Sequence, residues 1–408
     1  MTPDRRTSLI VTLAGGIVFL ALAALLVPWS PVPGGMPDPA DPASVFNLDQ
    51  IAAAEQFARW SRVWSWSSLA VSLGIACWLG FSRHGVRLVD WLRGPWWVKV
   101  VLAVAALAVI GRLVTLPFAL AQHRHFADNG LSTQSPAAFL LDLVKGEAIG
   151  VLVTSVLMLV LVGSARRWRR AWPAVAGGVL GVLVVVGSFV YPVLVEPVFN
   201  SFEPLEESSL RTQILELADR EGVDVDEVLV ADASRRTTTL NAYVSGFGNT
   251  RRVVVYDTLV EGLPEDQALS VVAHELAHAQ NSDVVTGTLL GVAGVVFGVG
   301  LLGLVVGARR AGSGLRDPRS VPLMLALVAV GSLIASPIEG TISRQIETRA
   351  DVEALAVTDD PEAFIAMQRK LALRSLSDPT PPSWSHFWFG SHPTALQRIA
   401  VAQGLTKR

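Results

Sequence analysis

Charge and cysteine are both scarce in this sequence, and each shortage excludes a class of protein. Charged residues make up 17% of the 408 positions, against about 25% in ordinary soluble domains. Hydrophobic residues reach 51% and gather in long apolar runs, which excludes a soluble globular chain and predicts a polytopic membrane protein. The one cysteine, Cys77, lies within such a run, so neither a disulfide framework nor a thiolate metal site is expected. The formal net charge of −2 gives no reason to expect nucleic acid as a partner.

Seven apolar runs are long enough to cross about 30 Å of hydrocarbon, which takes about 20 residues each. A cleaved signal peptide is the alternative for the first run, but that run is long, and the proline-rich segment after it has no clear cleavage site. We therefore predict about seven transmembrane helices and a multi-pass integral membrane protein in the lipid bilayer. The runs lie near residues 8–28, 64–82, 97–119, 147–165, 172–194, 284–307 and 320–338.

The runs divide the chain into two predicted domains. Residues 1–197 form an N-terminal membrane domain with five spans, and residues 198–408 form a second domain. The second domain contains a polar insert, the last two spans and a polar C-terminal tail. Charges inside spans are costly, so Arg112 and Glu147 are expected to pair within the bundle or to face a watery chamber.

The polar insert, residues 198–283, has the patterns of a small α/β unit. Leucine and isoleucine recur at near-helical spacing around 205–217, which predicts an amphipathic helix. The stretch "DEVLVAD" predicts a short strand, and a strand, a turn at 246–249 and a second strand at 252–256 follow it. A further helix begins at Pro264, with two acids in its first turn.

That last helix contains "VVAHELAHAQ", with His274, Glu275 and His278. Residues i and i+4 of an α-helix share one face, so the two imidazoles can bind one metal ion. Glu275 is offset by about 100° and can reach a water on the metal without binding the metal itself. These are the requirements of a zinc peptidase helix, in which the glutamate is the general base. The alternative is a pair of histidines on a membrane-surface helix.

A catalytic zinc needs a third protein ligand and an open position. No third histidine follows closely, but "ETRAD" places Glu347 and Asp351 one turn apart just after the seventh run. Glu347 is a candidate zinc ligand and Asp351 a candidate partner for the second nitrogen of a histidine. A solvated acidic helix face is the alternative. In "SHPTALQRI", His392 is a candidate oxyanion stabiliser, although an ordinary turn is the simpler interpretation.

Taken in order, these segments resemble the type-1 CAAX prenyl endopeptidase family, which are integral-membrane gluzincin zinc metallopeptidases. The similarity covers most of the chain and comes in ordered blocks. Besides the three motifs above, the similar blocks are "LPFAL" at 116–120, "GLSTQSPAAFLLDLVKG" at 130–146, "VEPVFNSFEPLE" at 195–206 and "NAYVSGFGNTRRVVVYDTLV" at 241–260.

The resemblance implies a mainly α fold in which about seven helices enclose a chamber, with a zincin-type α/β insert. It implies one Zn²⁺ per chain and a role for each matching residue. The implied roles are zinc ligands His274, His278 and Glu347; general base Glu275; supporting carboxylate Asp351; transition-state stabiliser His392; and substrate-side residues Asn241, on the edge strand, and Arg398, which ties the tail to the site.

The predicted function is therefore a membrane-embedded zinc metalloendopeptidase, with CAAX-type processing implied by the resemblance. The substrate is a protein or peptide, with or without a lipid. Two alternatives stay open: a broad quality-control protease of membrane proteins, and a non-catalytic metal-binding transporter or receptor. Abundant alanine, valine, leucine, glycine and arginine indicate a bacterial cell membrane. The arginine-rich loops place the insert outside, whereas the resemblance places the site on the cytosolic side.

Overall fold

The computed structural model describes residues 3–246, 251–307 and 314–406, and within them the chain forms sixteen α-helices and one four-stranded sheet. The first eight helices are α1 (Pro3–Leu26), α2 (Pro42–Val45), α3 (Leu48–Phe81), α4 (Arg83–Trp91), α5 (Trp96–Asp128), α6 (Pro136–Arg167), α7 (Trp172–Val190) and α8 (Glu196–Phe199). The other eight are α9 (Ser209–Arg220), α10 (Asp257–Gly262), α11 (Glu265–Gln280), α12 (Asp283–Gly307), α13 (Val321–Thr358), α14 (Pro361–Ser375), α15 (Ser383–Phe389) and α16 (Ala395–Thr406).

Within the described residues seven helices are long and apolar enough to cross a membrane, as predicted: α1, α3, α5, α6, α7, α12 and α13. Several are longer than the apolar runs. Helix α3 begins at Leu48 rather than near residue 64, and α13 continues to Thr358 rather than ending near 338. An apolar run marks only the part of a helix that meets hydrocarbon, and a helix can continue on polar residues beyond it.

The small sheet has the strand order β1-β2-β4-β3, from β1 (Phe202–Pro204), β2 (Glu227–Ala231), β3 (Ala242–Ser245) and β4 (Arg252–Tyr256). Strands β2 and β4 are parallel, and β1 and β3 flank them antiparallel. The predicted strands at "DEVLVAD" and 252–256 are confirmed. The three-residue β1 was not predicted, because it is too short for alternation to be visible. Residues 247–249 of the predicted turn lie outside the described residues.

The helices that carry the insert and tail pack on this sheet. Helix α9 buries Ile214 and α14 buries Phe364 in one apolar core with Val253 and Val255 of the central strand β4. Helix α11 adds Val272 to the same core, beside the edge strand β3. The C-terminal half of α13 packs against α11. The sheet therefore fixes α11, and α11 in turn fixes the end of the last membrane helix.

A cavity of about 640 Å³ lies among the membrane helices α3, α5, α6 and α13. The hydroxyls of Ser65, Ser68 and Ser72 line it from one face of α3. Inside it, Arg112 Nε donates to Glu147 Oε2 at 2.7 Å. The two intramembrane charges thus form the expected internal pair.

Candidate metal centre

Helix α11 presents its two histidines side by side because they are four residues apart and so share one face of the helix. Val272, Leu276 and Ala277 are fully buried against the sheet and neighbouring helices. Two acids, Glu265 and Asp266, occupy the first turn of the helix, where its dipole favours negative charge. His274 and His278 are one turn apart, and their Nε2 atoms are 3.2 Å from each other.

The third group comes from α13. Glu347 Oε2 lies 3.2 Å from His274 Nε2, and Glu347 Oε1 lies 3.8 Å from His278 Nε2. One ligand atom from each of the three residues lies within 4.8 Å of the others. The structure therefore brings together the two histidines and the distant glutamate that the sequence proposed as ligands.

The chemistry of these groups fits a bound cation. Glu347 Oε2 is buried and has no hydrogen-bond partner of good geometry among the described residues. Burial and the nearby Arg398 act to lower the pKa of His274, but the carboxylates of Asp351 and Glu347 outweigh them and raise it to about 9. Carboxylates that stabilise a protonated imidazole here would equally stabilise a metal ion between the rings.

Each histidine is also held at its other nitrogen. His274 Nδ1 lies 3.0 Å from Asp351 Oδ1, as the sequence suggested. His278 Nδ1 lies 2.9 Å from Asp283 Oδ2, a contact that the sequence analysis missed. The available signal was an acid five residues after the second histidine, at the start of α12. Carboxylates in this position fix the tautomer and ring orientation of a metal-binding histidine.

Arg398 of α16 contacts Asp351, the carboxylate that holds His274. Its Nε donates to Asp351 Oδ2 at 2.8 Å, and its Nη2 donates to Asp351 Oδ1. The side chain of Arg398 is only 13% exposed. Arg398 thus connects the C-terminal helix α16 to the candidate metal centre through Asp351.

Glu275 and His392 flank the three-residue group. Glu275 is half-buried on α11, and burial raises the pKa of its carboxyl. His392 follows α15, is 59% exposed, and places its Nε2 3.3 Å from Glu347 Oε1. One carboxyl group, that of Glu275, and one imidazole, that of His392, therefore lie beside the candidate metal position.

Strand β3 forms the edge of the sheet next to α11. Asn241 is exposed just before this strand, and its backbone oxygen accepts from Tyr256 N at 3.0 Å. No strand of the described chain pairs with the outer side of β3. An extended segment of another chain can therefore add to the sheet at this edge.

Two family models match the chain in sequence. The model for peptidase family M48 matches residues 204–406, which contain all eight site residues predicted from the sequence. The model described as the CAAX prenyl protease N-terminal region, five membrane helices, matches residues 50–201.

Individual proteins are similar over most of the chain. The "Uncharacterized metalloprotease YhfN" of Bacillus subtilis (strain 168) is 29% identical over 89% of this chain and 88% of its own length. The CAAX prenyl protease 1 homolog of Oryza sativa subsp. japonica is 27% identical, covering 73% of this chain and 72% of that protein. The crystal structure of S. mikatae Ste24p shares the fold, with a TM-score of 0.78 at 20% identity, over 97% of this chain and 99% of that one.

Proposed function

Because the chain belongs to peptidase family M48 and is a multi-pass membrane metallopeptidase, we propose that it hydrolyses peptide bonds with one zinc ion held by His274, His278 and Glu347. The observation that carries the proposal is the meeting of these three side chains from α11 and α13. Two imidazoles and one carboxylate are a donor set of catalytic zinc sites, which leave a further position open. Asp351 and Asp283 hold the second nitrogens of the two histidines.

A zinc ion bound there would supply an activated water at neutral pH and would polarise the scissile carbonyl. Glu275 is the general base that takes a proton from the attacking water and then delivers it to the departing amine. His392 donates a hydrogen bond to the oxygen that becomes negative during attack. Arg398 keeps Asp351 in place behind His274.

The substrate is proposed to bind as an added strand along β3. Main-chain hydrogen bonds to an exposed edge give affinity for an extended peptide with little dependence on its sequence. Asn241 lies at the start of this edge and is proposed to hydrogen-bond the substrate backbone. Since β3 packs beside α11, a peptide in this position runs past Glu275.

For the substrate class we propose peptides of membrane-associated proteins, with CAAX-type processing of lipidated chains as the first candidate. The relatives named as CAAX prenyl proteases support this class. A broad quality-control protease is the second candidate, supported by the similarity of most of the chain to a bacterial metalloprotease. The third, a transporter or receptor with a structural metal, requires four protein ligands and no hydrolysis.

The proposal is tested on the purified full chain with fluorogenic peptides. We expect hydrolysis that a chelator stops and added zinc restores, with about one zinc per chain. Glu275→Gln should keep zinc and lose hydrolysis, whereas Glu216→Gln, on the exposed face of α9, should change neither. Full activity in Glu275→Gln would refute the proposed mechanism. Cleavage of farnesylated against unmodified peptides decides between the first two substrate classes.

A further inference from the structure

His392 has few contacts of its own to hold it beside the metal centre. It is 59% exposed, its Nδ1 lies 2.9 Å from Ser391 Oγ, and its Nε2 lies 3.3 Å from Glu347 Oε1. The ring belongs to the segment 390–394 between α15 and α16. Its position therefore depends on what fixes the start of that segment, at Gly390.

Gly390 is fixed by Arg344 of α13. Arg344 Nη1 donates to the backbone oxygen of Gly390 and, at 3.5 Å, to that of His386. Its Nη2 donates to Thr341 Oγ1 at 3.0 Å. No carboxylate of the described residues lies within ion-pair distance of this guanidinium. The cation of Arg344 is thus directed at backbone oxygens at the end of α15, where the dipole of the helix favours positive charge. The backbone oxygen of His386 also accepts from Gly390 N at 2.9 Å.

Gly340 allows the two segments to come this close. A Cβ atom at residue 340 would lie 2.9 Å from the backbone oxygen of Gly390 and 3.2 Å from Arg344 Nη1. Both distances are shorter than a side chain normally tolerates. A second contact lies four residues earlier on α13, where Ser336 Oγ donates to the backbone oxygen of Trp388 at 3.1 Å.

We propose that Gly340 and Arg344 form a latch that places His392 for the reaction. The latch joins Gly390 to α13, the helix that also carries Glu347. Arg344 and Glu347 are three residues apart, so they lie on the same face of this helix. The latch thus connects the segment that carries His392 directly to the helix that carries Glu347. Gly340 and Arg344 are positioning residues that act through His392, and this inference rests on the proposed peptidase function.

The first test adds one methyl group to the latch. Gly340→Ala should lower kcat about 10- to 100-fold and leave KM and zinc content unchanged. The loss is a part of the roughly 10²- to 10⁴-fold that a positioned acid or base contributes to the rate. Gly331→Ala is the matched control, because it lies on the same helix and a Cβ there meets nothing within 4 Å. Unchanged kcat in Gly340→Ala, or loss of its zinc, would overturn the inference.

The second test asks whether Arg344 acts through His392. Arg344→Gln should lower kcat about 10- to 100-fold in the wild-type background and less than about twofold in the His392→Ala background, since residues that act as one unit are not additive. Equal losses in the two backgrounds would mean a general structural role and would refute the latch. Absence of zinc-dependent hydrolysis in the wild type would instead refute the proposed function, so the two failures are distinct.

Discussion

Two groups of charged side chains form ion pairs in the interior of this molecule, and they are built differently. In the membrane cavity, Arg112 and Glu147 form one ion pair among serine hydroxyls. In the candidate metal centre, Asp351 contacts both His274 and Arg398, and Asp283 contacts both His278 and Arg349. The first group is a pair, whereas the second is a network in which each supporting carboxylate has two partners.

From this difference we expect the two groups to respond differently when one of their side chains is replaced. A pair in low dielectric that loses one partner leaves an uncompensated charge, and the cost falls on stability. A network that loses one member keeps most of its charge balance but loses geometry, and the cost falls on binding and catalysis. Substitutions in the cavity are therefore expected to lower stability and leave activity unchanged. Substitutions in the candidate metal centre are expected to lower metal binding and activity and to change stability little.

The largest effect is expected at Glu347, the proposed metal ligand that comes from α13. Glu347→Ala removes one of three ligands, so bound zinc should fall to background and peptide hydrolysis should drop on the order of 10³-fold or more. Metal analysis and a peptidase assay measure this. Glu339→Ala, on an exposed part of the same helix, is the control. Normal zinc content in Glu347→Ala would contradict the assigned ligand set.

The next effect is expected at Asp283, which supports His278 without touching the metal position. Asp283→Asn should weaken zinc binding about 10- to 100-fold, as for other carboxylates behind metal-bound histidines. A competition titration with a zinc-binding dye measures the affinity. Thermal unfolding of the metal-free protein should change little. Unaltered zinc affinity would mean that the 2.9 Å contact has no part in metal binding.

In the membrane cavity the expected effect is on stability. Arg112→Gln should lower the free energy of unfolding by about 1–3 kcal/mol, below the full cost of breaking a buried pair because the cavity leaves both side chains partly exposed. Replacing both residues, as Arg112→Met with Glu147→Leu, should recover most of the loss. Denaturant unfolding in detergent measures the change. A large loss of kcat in the folded single variant would break the contrast between the two groups.

The smallest effect is expected at Glu221, a buried carboxyl without a cationic partner at ion-pair distance among the described residues. It is 6% exposed, and burial, followed by the charge of Glu353, raises its pKa to about 7. Between about pH 4.5 and pH 7 the carboxyl of Glu221 is therefore protonated in the folded state but ionised in the unfolded state. The contribution of Glu221 to the free energy of unfolding is thus greatest below about pH 4.5 and is lost as the pH rises through about 7. Relative to wild type, Glu221→Gln should gain about 2 °C in Tm between pH 5 and pH 8. An equal Tm difference at both pH values would contradict this.

The sequence was sufficient to predict the helices and strands that depend on a local pattern of residues. The seven apolar runs, the strand at 252–256 and the helix that carries His274 and His278 are visible from periodicity within a single window. Asp351 was expected to support one of the two histidines, because a metal-binding histidine needs an acceptor at its second nitrogen. The structure identifies that histidine as His274.

Contacts that no motif or chemical requirement points to were not predicted. Nothing within "ISRQIE" indicates that Arg344 would meet Gly390, because the contact exists only once α15 lies on α13. Asp283 likewise becomes a partner of His278 only through the bend between α11 and α12. The extension of α13 beyond residue 338 was missed because hydropathy falls there while the helix continues.

Helix α13 also offers no position at which the chain could be cut to separate the proposed catalytic region from the membrane helices. With a rise of 1.5 Å per residue, Glu347 lies about 39 Å from Val321 along one unbroken helix. That is only about 9 Å beyond a hydrocarbon layer of about 30 Å. A water-soluble fragment for crystallisation or inhibitor screening must therefore keep the first half of this helix, with its lipid-facing residues exchanged for polar ones in the same register, rather than delete it.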